Sequence, residues 1–150
     1  MAAGNHPFVV VGYDGSRGAE AALLVAVQEA RARGARLRVV GVWHMPTPLI
    51  SSTVSPTDTA RLGDDIRAAL TEAVDRAVEA ARAEDDGVEV EGVVIEGQPV
   101  TVLVDEAAGA ELLVVGSRGL GGFRELLLGS VSHQCAQHAS CPVLIVPPQR

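Results

Sequence analysis

Hydrophobic residues along this chain switch between two periods, and the switches outline its elements. Residues 8–13 form a continuous apolar run, which reads as a strand buried on both faces. Asp14, Gly15 and Ser16 make a turn, and Ser16 is placed to cap a helix beginning near Arg17. Ala19, Ala22, Leu23, Ala26 and Ala30 then recur at helical spacing until Gly34, and residues 37–43 form a second strand. Two strands joined through a helix imply parallel pairing and a right-handed crossover.

The same alternation continues to the end of the chain. Residues 44–56 carry Pro46, Pro48 and Pro56 among Ser and Thr, and they read as a long loop, either a lid or filler. Thr57 or Asp58 is expected to cap a helix reaching about Ala83, with Leu62, Ile66, Ala69, Leu70, Ala73, Ala77 and Ala80 on its buried face. A third strand is expected over residues 88–95, and Pro99 opens a third helix with Val100, Leu103, Val104 and Ala107 as its core stripe. Residues 111–115, 130–138 and 143–146 complete the set as strand, helix and strand. Five strands alternating with four helices predict a single α/β domain, a doubly wound parallel sheet with helices on both faces.

Candidate chemistry sits where the fourth strand ends. Gly116, Gly119, Gly129 and Ser130 stand in the spacing G-x2-G-x9-G-S directly after Leu112-Leu113-Val114-Val115. Glycines let main-chain N–H groups approach a ligand without a Cβ in the way, and a helix starting at Ser130 adds its positive end. That combination predicts an anion pocket, most simply for phosphate. In a doubly wound sheet, ligands bind beyond the carboxyl ends of the strands where strand order reverses, so Asp14 and the glycine loop are expected to face each other across one crevice. Asp14 reads as a ligand contact more than a cap, because Ser16 is available for capping. Arg118 is a candidate phosphate clamp, Arg124 a weaker one, and Trp43 either flanks a base or covers the core end.

Composition narrows the classes. A net charge of −7 opposes binding to nucleic acid or to an anionic membrane surface, both of which need a basic face. All 12 basic residues are arginine, which removes mechanisms built on lysine, including the phosphate-loop lysine and Schiff-base chemistry. No leader-like or membrane-length apolar run is present in residues 1–150, and a cytoplasmic location is expected. His133, Cys135, His138 and Cys141 suggest a metal quartet, yet within one helix His133 and Cys135 point about 200° apart, so a packed Cys135 with surface histidines is expected.

The segments Val11-Gly12-Tyr13-Asp14-Gly15-Ser16, Gly116-Ser117-Arg118-Gly119 and Gly129-Ser130-Val131-Ser132 resemble the ATP-binding branch of the universal stress protein family, and Cys141-Pro142-Val143-Leu144-Ile145-Val146-Pro147 is similar to its last strand. The resemblance implies a Rossmann-like sheet in the order 3-2-1-4-5, bound ATP with Mg²⁺ as its companion, and a homodimer formed through the C-terminal strand. It implies that Asp14 meets ribose hydroxyls or metal-side groups, and that Gly12 and Val42 line an adenine slot. Gly116 would sit beside sugar and base, while Gly119, Gly129, Ser130, Val131 and Ser132 would hold phosphates. The expected function is a dimeric, nucleotide-dependent sensor or signalling module with protein partners not named by the chain, and with at most weak ATPase activity. A slow ATP hydrolase and a nucleotide-free scaffold are the alternatives.

Overall fold

The computed structural model describes residues 5–45, 55–119 and 128–148. Pro46, Pro48 and the rest of the loop before Ser55, read from sequence as a lid or filler, together with Arg124, lie outside the described residues. Five strands and four helices alternate: β1 (Phe8–Gly12), α1 (Arg17–Ala32), β2 (Arg36–Trp43), α2 (Pro56–Glu84), β3 (Val90–Glu96), α3 (Pro99–Glu106), β4 (Leu112–Gly116), α4 (Ser130–His138) and β5 (Val143–Val146). All pairings are parallel and the sheet order is β3-β2-β1-β4-β5, as the alternation and the resemblance led us to expect.

The reversal of order lies between β1 and β4, which pair through Val9↔Leu112 and Val11↔Val114. Strand periodicity divides the side chains between two faces. Val9, Val11, Leu37, Val39 and Val114 are buried with α1 and α2, whereas Val10, Val40, Leu113 and Val115 are buried with Leu103 of α3 and Cys135 of α4. Burying both faces explains why β1 and β4 read as unbroken apolar runs.

Local signals set most helix ends. The Ser16 hydroxyl accepts from the Ala19 N–H at 3.1 Å, and Gly34 adopts φ +61 while Ala35 N–H bonds back to Ala30 C=O at 2.8 Å, closing α1 in a Schellman turn. Two expectations for α2 need correction. Its cap is Ser55, whose hydroxyl accepts from Asp58 N–H at 3.1 Å, with Pro56 in the first helical position, where its missing N–H does no harm. Its buried stripe is Val74, Ala77, Val78 and Ala81, with Leu70 and Ala73 packed beside it, and Ala69 and Ala80 are exposed. Tertiary fit decides this rotation, because strand glycines leave seats that the valines fill. A Cβ on Gly92 would lie 2.7 Å from Val74 Cγ1 and 2.8 Å from Val78 Cγ2, and one on Gly41 would lie 2.8 Å from Val74 Cγ2. The third strand starts at Val90 instead of 88, and the fourth extends to Gly116.

Asp85 and Glu91 belong to the acidic clusters Glu84-Asp85-Asp86 and Glu89-Val90-Glu91, which in sequence read as surface solubility charges, and both are paired. Arg38 on β2 reaches Glu91 on β3 and Glu106 on α3, each at 2.8 Å, and Arg31 holds Asp85 at 2.8 Å. These pairs tie the ends of neighbouring elements together, far from the carboxyl ends of β1 and β4.

Candidate functional site

Beyond the carboxyl ends of β1, β2 and β4 lies a crevice of about 510 Å³. All ten residues expected to form the site line it: Gly12, Asp14, Val42, Gly116, Arg118, Gly119, Gly129, Ser130, Val131 and Ser132. One wall is apolar, built by Val40 and Val42 of β2, Val115 of β4 and Leu103 of α3. The other end is polar, formed by the β1 turn on one side and the glycine segment with α4 on the other.

The β1 turn is locked by its own hydrogen bonds. Asp14 Oδ1 accepts from the Ser16 N–H at 2.9 Å, and Gly15 takes φ +83, a conformation that favours glycine. Asp14 therefore orders the turn with one oxygen while also lining the crevice, and the helix cap itself is Ser16. Its other oxygen faces the opposite wall, since a Cβ on Gly119 would lie 2.7 Å from Asp14 Oδ2. The expected juxtaposition of carboxylate and glycine loop is present.

Two backbones meet directly to hold that spacing. A Cβ on Gly116 would lie 2.8 Å from Gly18 C and O, and a Cβ on Gly18 would lie 2.5 Å from Arg118 O. The first turn of α1 thus rests against the end of β4 with no side chain between them. Sequence reading passed over Gly18. Its signal was available: a glycine in the first turn of an alanine-rich helix costs propensity with no local return.

At α4, the Gly129 N–H donates to Ser117 C=O at 2.5 Å and the Ser117 N–H donates to Val146 C=O at 2.8 Å, so the loop's start and end are joined at one residue. Gly129 is the N-cap and offers no side-chain hydrogen bond to the helix. The first N–H groups of a helix have no intrahelical acceptor, so those of Ser130 and Val131 are donors at the crevice, strengthened by the helix dipole. By contrast, α1 is capped by Ser16. Ser132 lines the crevice but is buried, and its hydroxyl faces the carbonyls of Ser117 at 3.1 Å and Gly129 at 3.0 Å.

Several residues take other places. Trp43 turns to the α2 face, where its ring lies 3.6 Å from a Cβ built on Gly63, and it is not among the residues that line the crevice. His44, its neighbour on the other face, lines the crevice, as do Tyr13, Ser16, Ala19 and Pro99. Strand alternation, which sends 40, 42 and 44 to one side, was the signal for His44. His133 and His138 are exposed and Cys135 is fully buried, so they diverge, and among the described residues no three His, Cys, Asp or Glu side chains gather to hold a metal ion. Burial pushes the Cys135 thiol above its ordinary value, which keeps it protonated and unreactive.

Tyr13 joins the crevice to the α1 and α2 face of the core. Burial raises its phenol above 10.0, Glu20 and Asp14 add to that, and Arg76 opposes it. A raised value means the folded state holds the proton more tightly than the unfolded chain. The stabilisation is complete below pH 10 and is lost as pH rises through the folded value. Tyr13 is the single tyrosine, so ultraviolet titration reads it alone. We expect phenolate to form above the ordinary value in native protein, together with falling thermal stability over the same alkaline window that Tyr13→Phe removes.

A model of the universal stress protein family matches residues 8–147. Universal stress protein YxiE of Bacillus subtilis is 34% identical over 146 residues, covering 92% of this chain and 97% of that protein. A universal stress protein of Mycobacterium tuberculosis is 38% identical over 148 residues, and there the chain spans only 49% of the relative. Among solved structures, UspA of Lactobacillus plantarum superposes with a TM-score of 0.82 at 22% identity, covering 94% of this chain and 97% of that one, and shows the same fold. A universal stress protein in complex with cAMP gives 0.69 at 29% identity, covering 96% and 98%. One from Archaeoglobus fulgidus in complex with dAMP gives 0.60 at 25% identity, covering 93% and 96%.

Proposed function

This chain belongs to the universal stress protein family, and from that premise we propose that it is a nucleotide-binding regulatory module whose crevice takes ATP. The observation that carries the reading is the gathering of unlike groups in one cleft: the start of α4, whose N-cap Gly129 has no side-chain cap, and the acceptor carboxylate of Asp14 beside Gly119 line the same crevice. An ionised carboxylate only accepts, which suits ribose hydroxyls, and main-chain N–H groups only donate, which suits phosphate oxygens. The apolar wall of Val40, Val42, Val115 and Leu103 suits a flat base. The complexes of two similar universal stress proteins with cAMP and dAMP support a nucleotide as the kind of ligand.

The residues present fit Mg²⁺ only as a companion of the phosphates. Asp14 is the one carboxylate among the described crevice residues, and one carboxylate makes no dedicated cage. When bound, the ion would neutralise triphosphate charge beyond what neutral N–H donors offset. The module acts in the cytoplasm as a homodimer through the edge strand β5, and its occupancy is read by protein partners. Among the described residues no helix is long and apolar enough to cross a membrane. Hydrolysis is at most slow, because His133 and His138, the histidines nearest the phosphate end in sequence, lie beyond the first turn of α4, are exposed and do not line the crevice.

Calorimetric titration with ATP, ADP, AMP and cAMP, with and without Mg²⁺, tests this. Saturable binding of ATP that Mg²⁺ strengthens is expected, and absence of binding by every nucleotide would overturn the reading. Phosphate release faster than about 1 s⁻¹, the low end of ordinary turnover, would recast the protein as an enzyme.

A further inference from the structure

We infer that Ser132 is a positioning residue that fixes the α4 N-terminus against β4, and that it gives no hydrogen bond to the nucleotide. The inference rests on the reading of the crevice as a phosphate site, but its physical basis is independent of any ligand. A serine hydroxyl has one proton. That proton already meets two carbonyl oxygens, Ser117 C=O at 3.1 Å and Gly129 C=O at 3.0 Å, and the residue is 2% exposed. A phosphate oxygen would be a third acceptor competing for the same proton. Donation to it would leave the buried Ser117 carbonyl with one partner fewer, at a cost comparable to the bond gained.

The bond to Ser117 spans 15 positions in sequence and joins two elements. Ser117 C=O also receives the Gly129 N–H at 2.5 Å, and the Ser117 N–H is anchored on Val146 of β5 at 2.8 Å. Ser132 thus sits at the centre of a main-chain knot that holds the first turn of α4 to the β4 end and so fixes where Ser130 and Val131 stand in the crevice lining that also holds Gly119 and Asp14. Ser130 is the contrasting case. It is exposed at the first helical position, lines the same crevice, and carries a hydroxyl suited to a ligand. The two serines of one short motif therefore divide the work: Ser130 contacts and Ser132 aims.

The test compares Ser132→Ala, Ser132→Thr and Ser130→Ala by amide hydrogen exchange in ligand-free protein and by affinity for adenosine, AMP and ATP. Losing one buried hydrogen bond is expected to speed Gly129 and His133 amide exchange roughly five- to tenfold in Ser132→Ala, and to weaken AMP and ATP by a common factor of similar size while leaving adenosine unchanged. Ser132→Thr, which keeps the hydroxyl, is expected to restore both. Ser130→Ala is expected to weaken AMP and ATP with no change in exchange. Weaker nucleotide binding by Ser132→Ala with unaltered exchange would mark Ser132 as a direct contact and overturn the inference, as would no change in either. Should Ser132→Ala not fold, Ser132→Cys keeps the volume with a weak donor, and the same exchange criterion applies. If wild-type protein bound no nucleotide, the functional reading would fall while the exchange arm still decided the role of Ser132.

Discussion

Gly119→Val is expected to weaken nucleotide binding by about two orders of magnitude while leaving the fold nearly as stable as before. The new Cβ alone would approach Asp14 Oδ2 to 2.7 Å, closer than unbonded carbon and oxygen tolerate, and the two methyl groups would extend into the crevice. The side chain of Asp14 is not at liberty to swing away, because its Oδ1 holds the Ser16 N–H at 2.9 Å. The exposed loop carrying Gly119 relieves the overlap in the free protein by moving, and restoring the binding geometry then meets an overpacking cost of about 1–3 kcal/mol, whose upper part corresponds to roughly a hundredfold in affinity. Gly119 itself is exposed, so the penalty falls on the site more than on the core. Titration of the variant with ATP, alongside a thermal melt, checks both halves. Unchanged affinity would remove the Asp14 and Gly119 pair from the binding site.

The second large effect turns on a conflict of sign. Gly18 lies in the first turn of α1, and helix propensity alone says that Gly18→Ala should stabilise the protein by about 1 kcal/mol. The tertiary structure says the reverse, since an added Cβ would stand 2.5 Å from the Arg118 carbonyl oxygen. That neighbour is backbone, so no rotamer change relieves it, and α1 must move off β4. We expect a net loss of about 2 kcal/mol or more, lowering Tm by roughly 4–8 °C in a chain of this size. Gly116→Ala should behave alike, because its Cβ would meet Gly18 C and O at 2.8 Å from the other side. Both variants should also weaken nucleotide binding, since the contact sets the distance between the two walls of the crevice. A thermal melt that shows Gly18→Ala to be stabilising would mean that this close approach does not persist in solution.

The resemblance to a known family and the bare residue pattern contributed different things to the reading. Strand and helix alternation was visible because each element buries a face, and burial writes period 2 or 3.6 into the chain. The caps at Ser16 and Gly34 were visible because they are local chemistry, settled within four residues. The glycine spacing and Asp14 pointed to one crevice because a parallel sheet brings its loops to a common edge, and the resemblance added residues such as Gly12 and Val42 that also line it. Where local rules offered two answers, prediction slipped. Asp58 and Thr57 are good caps, yet Ser55 before Pro56 won, since proline fits the first position and no later one. On α2 the alanines permitted several stripes, and the valines at 74 and 78 chose among them by fitting Gly41 and Gly92 on strands distant in sequence.

By itself, then, the sequence determined the succession of elements, the sheet class and the chemistry of the site, since each follows from nearest-neighbour periodicity and from which side chains donate or accept. Only the tertiary structure decided which surfaces touch: that Gly18 exists for the backbone of β4, that Trp43 turns from the crevice while His44 turns into it, and that the Ser132 proton is spent on main-chain carbonyls. The physical reason is range. Propensity and patterning act over a few residues, whereas steric exclusion and the sharing of a single proton depend on atoms that the chain brings together only after it has folded.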